Sequence, residues 1–444
     1  MSIALFLKEN LKHIPPVIGQ LINHIPFDLR PGIAYTYKQR RKEIQLLEMS
    51  GWAYKHTFVF ERIKKLAQHS YTHIPFYREL YDAHDFDPAA LKTFSDIQHI
   101  PIITKTMLKK YNLEERSFKV KSRYQVNTGG SSGSPLGFYI QPDSMGHEWA
   151  HMHTIWERLE YRCHDLKLVF GGRSDVKKMV DYDMLRNSFA VDIYAAYADI
   201  SKRLKYILKK HKIRYIHGYP SSIYDFAIYC RQNDPELRDL LSRQLQGAFL
   251  GSEYPYKAYR QEIEEVFSIP TISWYGHTER ATLAYEKEEP FKYYPFLSYG
   301  FTEAVKNSER EYNLVSTSYY NYASPLIRYN TEDVIEEPQI TEGILESFKI
   351  LNGRSGEFVV DRDGKKVNLT ALIFGRHHDL FNYADFIQVR QNIPGQIDIL
   401  YVTKNSIDFP EELFDIRNLN FDVGFERREE PVRTEAGKIG LKVR

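Results

Sequence analysis

Thr271-Ile-Ser-Trp-Tyr-Gly-His-Thr-Glu279 opens as a short run suited to a buried strand, then stops at a glycine followed by polar side chains. The same figure recurs upstream. Ala248-Phe-Leu250 runs into Gly251-Ser-Glu253, Ile213-Arg-Tyr-Ile216 into Gly218-Tyr-Pro-Ser221, and Leu166-Lys-Leu-Val-Phe170 into Gly171-Gly172. Helical patterns such as Tyr259 to Phe267 lie between these runs. Strands alternating with helices predict an α/β layer with a largely parallel sheet. In such sheets ligands bind beyond the carboxyl ends of the strands, where these glycine loops would gather.

The chain on either side reads differently. Residues 1 to about 120 are expected to be mostly helical, with apolar residues at helical spacing in Lys38 to Met49 and Thr57 to His69, and Pro101 as a break. Within them, 1–25 predicts an amphipathic helix carrying Phe6, Leu7, Leu11, Ile14 and Ile18; packing on the large domain is the expected use, membrane-surface docking the alternative. The last ninety or so residues predict a small α+β unit: a hairpin of Val359-Val360 and Lys366-Val367 about Asp363-Gly364, a strand pair about Pro394-Gly395, and an alternating Phe421 to Phe425. The boundary is expected near Gly353-Arg354-Ser355-Gly356, giving domains 1–352 and 353–444.

Composition sets the limits. At 444 residues the chain is too long for one ordinary core. A net charge of +2 argues against a nucleic-acid footprint spread over the surface. Cys163 and Cys230 are the two cysteines, which predicts neither a disulfide framework nor a cysteine zinc site and suits a reducing compartment. The apolar run Ile3 to Leu7 ends at Lys8 and Glu9, too early for a signal peptide or a transmembrane span, so the expected location is cytoplasmic. The 33 tyrosines and 26 phenylalanines predict aromatic core and pocket lining.

Several segments carry residues that a nucleotide-activating site needs. Thr128-Gly-Gly-Ser-Ser-Gly-Ser-Pro-Leu136, followed by Gly137, offers many N–H and O–H donors with little bulk, suited to wrapping a polyphosphate. Tyr275-Gly276-His277-Thr278-Glu279 supplies a hydroxyl for a phosphate oxygen and a carboxylate for Mg²⁺. Arg328-Tyr329-Asn-Thr331-Glu-Asp333 supplies a carboxylate suited to ribose hydroxyls, and Arg354 a second ribose or phosphate contact. Arg433-Thr434-Glu-Ala-Gly437-Lys438 offers a lysine on a loop. Singly, Glu279 reads as a solvated charge, Asp333 as a turn residue and Lys438 as one surface lysine among many; their order carries the signal.

In that order the segments resemble the adenylate-forming ligases, specifically the phenylacetate-CoA ligase-like branch that includes the CapK-type capsular polysaccharide proteins. The Gly/Ser loop, with Thr128, Gly129, Gly130, Ser131, Ser132 and Gly133, is similar to that superfamily's phosphate-binding signature. Tyr275 to Glu279 resembles its Tyr-Gly-x-Thr-Glu motif and Tyr329 to Asp333 its Tyr-x-Thr-x-Asp motif. Gly251-Ser252-Glu253 resembles its adenine-side motif, Gly353-Arg354 its hinge motif, and Arg433 to Lys438 its lysine-bearing tail. His73 to Tyr77, Ile100 to Lys105 and Pro26 to Gly32 resemble upstream segments of the same branch. Three departures stand out: Ser134 where lysine is frequent, Glu332 where glycine is common, and Glu357 where the hinge usually has Asp.

The resemblance implies ATP-dependent activation of a carboxylate as acyl-adenylate, with Mg²⁺ on Glu279, Lys438 and Thr278 as catalytic groups, and rotation of the small domain about the hinge. Transfer would follow to coenzyme A or an amine, with surface polysaccharide modification as the expected setting, a sugar-linked or other small carboxylate as substrate, and a homodimer as the expected assembly. His147, Trp149, Tyr219, Ser221 and Trp274 are the candidates for the acyl pocket, with packing as the alternative role. An adenylyltransferase leaving a stable AMP adduct is the second reading. The third is a zinc hydrolase, because His147-Glu148-Trp-Ala-His151 fits the helical H-E-x-x-H zinc signature. No Gly-Lys-Ser/Thr closes the Gly/Ser loop, so a Walker-type reading fails.

Overall fold

The computed structural model describes residues 14–128, 136–173, 175–351, 358–376, 378–403, 407, 409–433 and 440–443. Leading helices run over Pro16–Asn23, Ala34–Met49, Trp52–His73 and Pro75–Asp82. The two longest extend the predicted stretches by several residues at each start, Ala34 to Tyr37 and Trp52 to His56, none of which is a glycine or proline that would stop the helix. A hairpin follows, β1 (Tyr124–Asn127) against β2 (Gly137–Ile140), and then the helix Ser144–Trp156.

Twelve strands build the main sheet: β3 (Leu166–Phe170), β4 (Val180–Asp183), β5 (Ser188–Val191), β6 (Ile213–Gly218), β7 (Gly247–Leu250), β8 (Thr271–Gly276), β9 (Leu283–Glu286), β10 (Lys292–Pro295), β11 (Gly300–Lys306), β12 (Tyr312–Ser318), β13 (Tyr329–Thr341) and β14 (Ile344–Ile350). Their order across the sheet is β11-β12-β13-β14-β10-β9-β8-β7-β6-β3-β5-β4. The run β5-β3-β6-β7-β8 is parallel throughout, as the strand and glycine-loop pattern predicts. The loops after Phe170, Gly218, Leu250 and Gly276 therefore share one edge. From β8 through β9 to β14 and across to β11 the pairing turns antiparallel.

Side-chain alternation puts Leu166, Leu168 and Phe170 into the core beneath helices Tyr197–Leu208 and Pro220–Asn233. The opposite face carries Tyr215, Phe249 and Ile272 against Trp156 of the helix Ser144–Trp156. The leading helices form a further core with Phe301, Tyr319, Leu326 and Tyr329.

The C-terminal strands keep to sheets of their own. β15 (Phe358–Val360) and β16 (Lys366–Asn368) form the predicted hairpin, with Gly364 at φ +80° in its turn. β17 (Phe386–Arg390) and β18 (Gln396–Val402) form the predicted pair, joined by β19 (Asp422–Arg428) and β20 (Lys442–Val443). The apolar core of this unit is nonetheless continuous with that of the main sheet. Leu369, Ala371, Leu372 and Ile373, all 0% exposed, join the cluster that holds Leu168, Phe170 and Ile216. Each larger aliphatic chain buried there contributes about 1.5–3 kcal/mol of transfer free energy. Gly172, at φ +65°, makes the close approach possible, since a Cβ there would lie 3.1 Å from the Ala371 Cβ.

Candidate active site

The β8 loop is the densest cluster. Strand β8 delivers Tyr275, and its glycine end lets the chain turn into His277, Thr278 and Glu279. Glu279 is buried while Thr278 is exposed. The Thr282 N–H donates to His277 Nε2 at 3.2 Å, which makes Nε2 an acceptor and leaves the ring proton on Nδ1. That proton points at Glu279 Oε2, 3.1 Å away. The Tyr329 hydroxyl lies 3.3 Å from Glu279 Oε1. Burial pushes the Glu279 carboxyl up, but the His277 hydrogen bond and the positive charge of Lys105 outweigh it and hold it below the usual carboxylate range. A buried carboxylate kept ionised, next to an exposed hydroxyl, is a hard-oxygen donor set that fits Mg²⁺.

Strand β13 brings the second carboxylate. The Tyr275 hydroxyl donates to Asp333 Oδ2 at 2.6 Å, and burial, then the Asp333 charge, pushes the phenol well above its ordinary value. Asp333 Oδ1 makes no hydrogen bond among the described residues and faces a half-buried environment. Lys105 arrives from far upstream: Ile103 bridges in parallel to Tyr329, its N–H donating to Arg328 O at 3.0 Å while the Asn330 N–H donates to Ile103 O at 2.9 Å. Buried Lys105 then lies 4.0 Å from Glu332. Motif reading quoted Lys105 without giving it a site role; an isolated lysine after a Pro-Ile-Ile-Thr stretch carries no signal until the bridge sets it beside Glu279.

At the ends of β6 and β7, Glu253 Oε2 accepts from the Ser221 hydroxyl at 2.8 Å and the Ser221 N–H at 3.3 Å. Ser221 Oγ in turn accepts from Asn368 Nδ2 at 3.1 Å, joining these loops to the C-terminal unit. Glu253 Oε1 is buried without a hydrogen-bond partner among the described residues, and burial raises this carboxyl to about 7. Gly251 lies under Trp274, whose Cζ2 would be 2.4 Å from a Cβ at 251, and Ser252 is exposed at φ +67°.

Thr128 closes the base of the Gly/Ser loop: its N–H donates to Leu136 O at 3.0 Å, and the Leu136 N–H donates to Thr128 Oγ1 at 3.0 Å. Gly129, Gly130, Ser131, Ser132, Gly133 and Ser134 within that loop lie outside the described residues, as do Arg354, Glu357 and Lys438.

The pocket candidates separate. Trp149 contacts Trp156, which contacts Trp274 and His217, all between sheet and helix. His217 packs in this same layer, on Trp156 and Trp274, and was not among the candidates, because one histidine inside a strand has no spacing signature. Tyr219 belongs to the core on the other face, and Ser221 turns to Glu253. His147 packs on Tyr299 and Tyr320.

The H-E-x-x-H reading does not fit its surroundings. His151 Nδ1 donates to His147 O at 2.8 Å, which leaves Nε2 to accept from the Ser298 hydroxyl at 2.8 Å. Its lone pair is therefore already engaged. Glu148 accepts from the Tyr299 hydroxyl at 2.6 Å. Burial lowers His147 and His151, the latter to about 3, so both are neutral core histidines. A cleft of about 470 Å³ beneath the helix Ala34–Met49, lined by Trp52, Tyr285 and Phe296, contains none of the motif residues.

No family model matches the chain. It is 26% identical over 348 residues to Protein CapK of Staphylococcus aureus, a match covering 75% of this chain and 75% of that protein. Among solved structures, 2-hydroxyisobutyryl-CoA ligase in complex with 2-HIB-AMP and CoA in the thioesterification state superposes with a TM-score of 0.56 at 17% identity, covering 88% of this chain and 90% of the other. The same ligase in the postadenylation state with 2-HIB-AMP gives 0.54 at 16% identity, with the same coverage of both chains. The chain is thus a homologue of Protein CapK built on the fold of the adenylate-forming ligases.

Proposed function

We propose that this protein is an AMP-forming ligase that activates a carboxylic acid with ATP and passes the acyl group to a thiol or an amine. One observation carries the reading: an ionised, buried Glu279 beside Lys105 and an exposed Thr278, with Asp333 held nearby by the Tyr275 hydroxyl and keeping an oxygen unbonded among the described residues. This is the chemistry needed to hold a nucleotide triphosphate by its metal-bound phosphates and its ribose.

In the first half-reaction the acid's carboxylate oxygen attacks the α-phosphorus of ATP in line, the bond to the bridging oxygen breaks, and pyrophosphate leaves with its electron pair. Glu279 would hold Mg²⁺, which when bound would neutralise charge on the leaving phosphates. Thr278 and the Gly/Ser loop donate to phosphate oxygens, Asp333 accepts from the ribose hydroxyls, and Lys438 stabilises the charge on the transferring phosphoryl group. In the second, a nucleophile attacks the acyl carbon and AMP departs. The likeness to Protein CapK supports a sugar-linked or other polar acid in surface polysaccharide biosynthesis, with coenzyme A or an amine as acceptor.

The test is pyrophosphate release from Mg-ATP across aryl, fatty, amino and uronic acids. We expect release with one acid class, slowed roughly 10²–10³-fold by Lys438→Ala while ATP binding persists. Undiminished release in the variant removes Lys438 from the mechanism. Failure to bind ATP at all overturns the ligase reading, and a labelled AMP that stays on the product without free AMP favours adenylyl transfer.

A further inference from the structure

The helix Pro16–Asn23 is amphipathic the wrong way round for a surface helix. Its inward positions are Gly19, where a Cβ would come within 2.5 Å of the Tyr182 ring, and Asn23, whose Nδ2 donates to Met184 O at 2.8 Å. Its outward positions are apolar: Val17 is 64% exposed, Ile18 50% and Leu21 68%, continuing into Ile25 at 46% and Leu29 at 67%. These inward contacts fix the helix with its apolar side uncovered by the described residues. A contiguous outward apolar surface of this kind marks a docking face.

Its location says what it docks to. Gln20 bonds His211 at 2.9 Å, and the His24 ring stacks on His164 with centroids 4.6 Å apart. His164, Met184 and His211 lie in the segments that precede β3, β5 and β6. The helix therefore occupies the edge where the parallel strands begin, opposite the glycine loops of the candidate active site. The same segments expose Arg162, Lys209, Lys210 and Lys212, whose charged side chains form no ion pair among the described residues; Arg186 is also exposed but pairs with Asp183. Among the described residues Asp28, Glu157 and Glu160 are exposed acids near them in sequence, Glu157 being paired with Arg41.

We propose that this face docks on an anionic lipid surface, the apolar side chains entering the headgroup boundary and the lysines meeting lipid phosphates. A second copy fits poorly, since a two-fold pairing of this patch would bring two surfaces rich in unpaired lysines together. Docked this way, the active-site edge faces away from the membrane and stays open to soluble nucleotide.

The experiment is co-sedimentation of the full chain with vesicles of phosphatidylcholine alone or mixed with phosphatidylglycerol. Partition onto the anionic vesicles, weakened by salt, is expected. Lys209→Glu with Lys210→Glu should cut it by about fivefold or more for each charge changed, and Leu21→Ser with Ile25→Ser by about tenfold or more. These side chains are exposed, so circular dichroism should match the parent. No partition onto anionic vesicles overturns the proposal. So does partition that neither variant alters, or a dimer in light scattering that the Leu21/Ile25 variant splits without any vesicle binding.

Discussion

Glu332 stands at φ +65°, in the left-handed region that glycine enters freely and a side chain occupies at a cost of about 1–2 kcal/mol. Glycine is common at this position among the ligases the chain resembles, and the backbone explains why. Here the glutamate reaches to within 4.0 Å of Lys105, so the departure brings a partner for that buried cation. His277 plays a comparable supporting part by donating to Glu279. Replacing it with Leu should leave the fold intact but weaken the apparent Mg²⁺ affinity by about 10–100-fold, read from Mg²⁺ titrations of pyrophosphate release. At this scale the motifs were legible wherever chemistry depends on neighbours in sequence, as in Tyr275 to Glu279. Lys105 and His217 were not, because what defines them is a partner in another segment.

The elements around the site are tied through side chains as well as sheet hydrogen bonds. The chain of contacts from Asn368 through Ser221 to Glu253 links β16 to the ends of β6 and β7. Burial raises the Glu253 carboxyl to about 7, above its unfolded value, so the folded state favours its protonated form. Its stabilising contribution is therefore complete at acid pH, below the unfolded value, and is lost as pH rises through about 7. Melting temperatures of the parent and of Glu253→Gln should accordingly match at pH 4 and diverge by pH 8, with the variant more stable. Parallel melting curves across that range would place the carboxyl at an ordinary value. The parallel strands and the two C-terminal hairpins could be read from sequence because each depends on local period and turn residues. The fate of His147 and His151 could not, since a metal motif and a buried hydrogen-bonded pair share one spacing and differ in whether Ser298 and a helix carbonyl already use the nitrogens.

Across the whole molecule, the C-terminal unit is docked by apolar surface as well as by polar contacts. Lys365 Nζ donates to Ile193 O and Ala195 O, both at 2.6 Å, and Asn418 Nδ2 to Val176 O at 3.1 Å. Gly172 sits at the tightest approach. Gly172→Ala should lower stability by about 1–2 kcal/mol from its left-handed backbone alone, and should loosen the docked unit, seen as faster amide exchange in helix Leu369–Ile373. A change confined to the Gly172 loop would mean the interface tolerates the methyl. Composition and length announced more than one unit, but not that the units share a core: Val359, Leu369 and Ile387 read simply as apolar residues until packing shows whose core they join. The bridge between Ile103 and Tyr329 carries a different lesson, one of time. It joins positions more than two hundred residues apart, so the chain must close a very long loop before Lys105 can stand beside Glu279. The wall of the candidate site should therefore be among the last parts of the protein to form during refolding, and on the ribosome it cannot begin to close until β13 has been made.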